Sequence, residues 1–94
     1  MASGSCFRCH PAVAWSVEKS SIILFRSGTN DAIELRHPES ALWDFLSRGI
    51  QMERITAMMC VLRSSTQQSA ELWIKRRTAE WLRAGWLIQG DRIG

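Results

Sequence analysis

No stretch of the chain is apolar for long enough to cross a bilayer. The longest runs, Ile22 to Phe25 and Ala57 to Leu62, fall far short of the roughly 20 residues a spanning helix needs. Met1 to Ser5 carries no charged side chain and no long apolar segment follows it, so no secretory signal is legible and the cytoplasm is the expected location. Three cysteines in that setting are expected to stay as thiols rather than form a disulfide framework. No Ser/His/Asp set, glycine-rich phosphate loop or pair of carboxylates stands out, which argues against an enzyme, and no cofactor is expected. Lysine is scarce as well. Ten of the twelve cations are arginine, a composition that suits forked recognition of carboxylates better than coating a polyanion. The net charge of +3 comes from scattered residues, so nucleic acid is not demanded as a partner.

The 94 residues are 46% hydrophobic and 22% charged, which is the balance of a folded domain. A chain of this size buries about two-thirds of its unfolded surface, enough for one core without a deep catalytic cavity. We expect a flexible tail over residues 1–10, a single domain over 11–90 and a second tail over 91–94. Within the domain, Val13, Trp15 and Val17 alternate with Ala14 and Ser16, the period-two pattern of a half-buried strand. Ser21 to Arg26 reads as a second, more apolar strand, and Ser27 to Asp31 as a loop rich in turn formers. Ala32 to Arg36 alternates again, with Ile33 and Leu35 inward. Three strands joined by short links make an antiparallel meander whose first and third members are edges.

The period then changes to that of a helix. Pro38 and Glu39 suit a first helical turn, Leu42, Phe45 and Leu46 share a face flanked by Trp43, and Gly49 stops the helix. Met52, Ile55, Met59 and Leu62 recur at helical spacing over about three turns. A third helix is expected from Gln67 to Ala84, with Ser65 or Thr66 as its N-cap and Gly85 as the left-handed residue that ends it. Trp86, Leu87 and Ile88 then fold back on the core. The expected fold class is α+β, a three-stranded antiparallel meander followed by three helices, winged-helix-like.

Cys6-Phe7-Arg8-Cys9-His10 has the spacing that attaches a c-type haem. Such attachment follows export, and Cys-x-x-Cys occurs once, so neither haem nor a four-ligand zinc site is expected and the pair reads as two thiols near a chain end. Trp73 and Trp81 read as core aromatics. Arg77 projects between them, where it either snorkels to water or lines a groove as a forked donor to an acidic residue. Lys75, Arg76, Arg77 and Arg83 give the third helix a basic character, but Glu71 and Glu80 are interspersed and few small polar base-readers accompany them.

The order and spacing of these elements resemble the PqqD-like family, the coenzyme-PQQ synthesis protein D fold, also described as the recognition element of ribosomally made, modified peptides. The resemblance runs from about Pro11 to Ile88. It rests on Val13-Ala14-Trp15, Ile22 to Phe25, Leu35-x-x-Pro38-x-Ser40-Ala41-Leu42-Trp43, Phe45-Leu46-x-x-Gly49, Ile55 with Leu62, and Trp81-Leu82-x-x-Gly85-Trp86-Leu87. It implies a peptide-binding module that captures the leader segment of a precursor by strand addition and presents it to a modifying enzyme such as a radical-SAM protein. Main-chain bonds would come from Ala32, Ile33, Glu34 and Leu35, and side-chain pockets from Ala70, Trp73, Ile74 and Arg77, with Arg77 choosing an acidic leader residue. Two other readings stand beside it. One is a winged-helix nucleic-acid binder, and the other a small subunit that seals its edge strand by pairing with a second copy.

Overall fold

The computed structural model describes residues 6–90. Eight elements follow one another: β1 (Cys6–Cys9), β2 (Val13–Val17), β3 (Ser21–Arg26), β4 (Ala32–Arg36), α1 (Glu39–Ser47), α2 (Met52–Leu62), α3 (Gln67–Ala84) and β5 (Leu87–Gly90). The fold is α+β. Strands β2, β3 and β4 form the expected antiparallel meander, with β2 and β4 as its edges, and β1 pairs antiparallel with β5 in a second, two-stranded sheet.

That second sheet corrects the sequence reading of a tail over residues 1–10, in so far as those residues are described. Residues 6–9 are a strand because β5 supplies their hydrogen-bond partners, with Phe7 opposite Gln89 and Cys9 opposite Leu87. Phe7 and Cys9 also pack on the core. Both partners of this pairing lie at opposite ends of the sequence, beyond the reach of a local pattern. The expected tail over 91–94 and the start of the chain lie outside the described residues.

The helix ends obey local chemistry. Thr66 caps α3 by accepting the Ser69 N–H at 3.1 Å, and Gly85 ends it at φ +85°. The core between the larger sheet and the helices is centred on Leu24, Leu42, Trp43, Ile55 and Met59, all without exposed surface. Trp43 was expected to flank the inner face of α1, but it is the middle of the core. Trp15 and Trp81 meet it edge-to-face on either side, with ring centroids 5.6 and 5.5 Å away. Trp15 from β2 and Trp81 from α3 together cover a residue that helical spacing alone puts at the margin.

Arg26, at the end of β3, ties the meander to the end of α3. Its guanidinium lies over the Trp86 ring at 4.5 Å and donates to the Ala84 and Gly85 carbonyls at 2.6 and 3.3 Å. The Asp31 carboxylate is 3.4 Å from its Nε, within ion-pair range although not aligned for a hydrogen bond. A cation here satisfies carbonyls that the last helical turn leaves unpaired and complements the negative end of the helix. Arg26→Ala is therefore expected to cost about 1.5–3 kcal/mol, the range for hydrogen bonds to charged groups. Gly85→Ala is expected to cost about 1–2 kcal/mol for the left-handed backbone. The added Cβ would sit 2.9 Å from Arg26 Nη1, so the two losses should sum to more than that of the double variant. Thermal unfolding of the four proteins measures this, and strict additivity would show that the arginine does not constrain the glycine.

Candidate functional site

The backbone of β4 determines which of its polar groups are free. Arg26 donates its N–H to the Asp31 carbonyl at 3.1 Å, which sets the phase of the β3–β4 ladder. Hydrogen-bonded pairs alternate along an antiparallel ladder, so the next are Leu24 with Ile33 and Ile22 with Leu35. Ile33 and Leu35 thus spend their N–H and C=O groups on β3. Ala32, Glu34 and Arg36 turn theirs outward, to the open edge. The bonds on the other side of β3, from Ser27 to the Ala12 carbonyl and from Glu18 to the Ser21 carbonyl, have the complementary phase. The edge expected over Ala32, Ile33, Glu34 and Leu35 is therefore corrected: the donors and acceptors are those of alternate residues. The side chains divide the same way. Ile33 and Leu35 face the helices, Leu35 buried and Ile33 partly so.

Between this edge and the second half of α3 runs a groove of about 500 Å³. At one end, Ile33 meets Trp81, Ala84 and Trp86, which Arg26 draws close by holding the end of α3. At the other end, past Leu35, stand Glu39 from α1 and Arg77 and Glu80 from α3. Arg77 Nη1 donates to Glu80 Oε1 at 2.9 Å, and Glu39 Oε2 lies 4.0 Å from Nε. That Nε is shielded from solvent and makes no hydrogen bond among the described residues. Glu34 and Arg36 also line the groove and pair with each other at 3.4 Å, so the second carboxylate beside Arg77 leaves one surplus negative charge here.

Of the residues expected to form side-chain pockets, Arg77 is at the groove. Ala70 and Ile74 are core residues, at 0% and 3% exposure, and Trp73 is half-buried under the Arg63 guanidinium at 4.9 Å. The correction is one of helical phase. Ala70, Ile74 and Trp81 form the stripe packed inward, and Arg77, Glu80 and Ala84 lie a step round toward β4. Ile74 instead contributes to a second cavity of about 550 Å³ on the other flank of α3, with Phe7, Met52, Thr56 and Thr78. Glu39, Glu80, Ala84 and Trp86 were not expected at the site. Glu80 could have been found from its spacing of three from Arg77, a favourable helical pair. Glu39 reaches Arg77 only through the turn of the chain into α1.

The cysteine motif is built into extended backbone rather than a loop. Cys9 is partly buried, and burial pushes its thiol pKa up, away from reactive thiolate chemistry. His10 Nδ1 accepts the Ala12 N–H at 3.0 Å, and the Cys60 thiol donates to the Ser65 carbonyl. Among the described residues no three His, Cys, Asp or Glu side chains are grouped to hold a metal ion, and no helix is long and apolar enough to cross a membrane. Comparison of the chain with family models, curated proteins and solved structures finds no match.

Proposed function

We propose that the protein is a cytoplasmic peptide-binding module of the PqqD-like kind, which adds a leader segment as a further strand beside β4 and hands its precursor to a modifying enzyme. The observation that carries this reading is the combination of an open strand edge with a groove alongside it. Ala32, Glu34 and Arg36 offer main-chain donors and acceptors in register, and the groove offers alternate side chains a place to go. No catalytic step is assigned to the module itself, and its partners are the leader peptide and an enzyme such as a radical-SAM protein.

An amide-resolved NMR titration with synthetic leaders of short peptides encoded beside the gene tests it. The expected result is a set of shifts at Ala32, Glu34 and Arg36, joined by Arg77 to Ala84 across the groove. Shifts confined to Lys75, Arg76 and Arg83 on adding an oligonucleotide, with binding that falls steeply as salt rises, would replace this reading by nucleic-acid binding. A mass that doubles with concentration, with the β4 amides protected in the absence of peptide, would replace it by self-pairing.

A further inference from the structure

The resemblance led to an acidic leader residue beside Arg77; the charges around that side chain point the other way. Arg77 already faces two carboxylates, Glu80 at 2.9 Å and Glu39 at 4.0 Å, and about a third of its side chain is exposed. Its Nη1 is engaged by Glu80 and its Nε has no exposed surface. Nη2 is engaged by neither carboxylate, but an acidic side chain arriving there would stand against the negative charge of both. A cation would meet the one surplus negative charge, and Glu39, at the limit of ion-pair distance, is the carboxylate least committed to Arg77.

The ladder fixes where such a cation enters. A strand added beside β4 projects alternate residues toward the helices, and these lie opposite Ile33 and Leu35. The residue opposite Ile33 meets Trp81, Ala84 and Trp86. The residue opposite Leu35, two positions along the same face, meets Glu39, Arg77 and Glu80. We propose that the β4 groove selects an extended peptide carrying an apolar side chain and a basic side chain two residues apart, the apolar one against the Trp81 and Trp86 end and the basic one between Glu39 and Glu80. This assignment rests on the strand-addition reading and adds the chemistry of the ligand to it.

The test uses three acetylated, amidated seven-residue peptides in which threonine alternates with leucine, a central guest residue and leucine. The sequence reads the same in both directions, so the direction in which it pairs does not matter. The guest is lysine, glutamine or glutamate. Titrated into the intact protein and followed by NMR, the lysine peptide is expected to bind about tenfold tighter than the glutamate peptide, with glutamine between them, because the two ionic peptides differ by an attraction exchanged for a repulsion. In the Glu39→Gln, Glu80→Gln double variant the preference should vanish or reverse. Equal binding of all three peptides, or tighter binding of the glutamate peptide, overturns the charge assignment while leaving strand addition in place. Absence of shifts at Ala32, Glu34 and Arg36 with every peptide overturns strand addition and the assignment together.

Discussion

Glu34→Pro is expected to weaken a strand-added peptide by about thirtyfold or more while the domain stays folded. The reason lies in the phase of the β3–β4 ladder. The Glu34 N–H points away from β3, so proline there removes no bond of the native sheet, and edge positions of this sort are where proline is tolerated. It does remove a donor the peptide needs, worth roughly 0.5–1.5 kcal/mol, and it sets a ring in the path of the incoming strand. Together these amount to about 2 kcal/mol, or about thirtyfold in affinity. Two controls bracket the effect. Glu34→Ala keeps the N–H and removes only a carboxylate whose ion pair with Arg36, at 3.4 Å, is largely solvated, so binding should change little. Leu35→Pro removes a bond of the ladder and a buried side chain at once, and should unfold the protein. Isothermal titration gives the affinity and circular dichroism the fold. A Glu34→Pro protein that binds as tightly as the parent would exclude β4 as the docking edge.

The meander and the three helices were legible because their signals are local. Alternation of apolar residues over Val13 to Val17 and Ala32 to Arg36, and caps at Thr66 and Gly85, each act within a few residues and coincide with the elements observed. The β1–β5 sheet was not legible, because pairing between Cys6–Cys9 and Leu87–Gly90 depends on the two ends of the domain meeting in space. At the groove, the edge strand and Arg77 were legible, the first from topology and the second from a cation set among apolar residues. Its partners were not. A helical stripe read by spacing cannot distinguish the residues facing the core from those a step round, which is why Ala70, Trp73 and Ile74 stood in for Glu80 and Ala84. The approach of Glu39 depends on how α1 leaves the sheet, and the clamp of Arg26 on the end of α3 joins residues remote in sequence.

Trp43 is where stability and the groove meet, and Trp43→Ala is expected to cost about 3–5 kcal/mol, the range for removing a buried aromatic ring. The side chain has no exposed surface and stands between Trp15 and Trp81, so its loss opens a cavity and deprives two further rings of an edge-to-face neighbour. Against a typical domain stability of about 5–15 kcal/mol, that is a large share. The unfolding midpoint should fall by roughly 4–8 °C for each kcal/mol lost. Trp43→Phe should be much milder than its lost volume alone suggests, because the indole N–H is buried without a hydrogen-bond partner and phenylalanine removes that donor. Trp81, which forms the floor of the groove beside β4, is held by Trp43. A Trp43→Ala protein examined below its lowered midpoint should therefore also bind peptide more weakly, although the substituted residue is buried and touches no ligand. A midpoint unchanged by Trp43→Ala would mean that the three indoles do not pack as one unit. A lowered midpoint with unaltered peptide affinity would place the determinants of binding at the charged end of the groove alone.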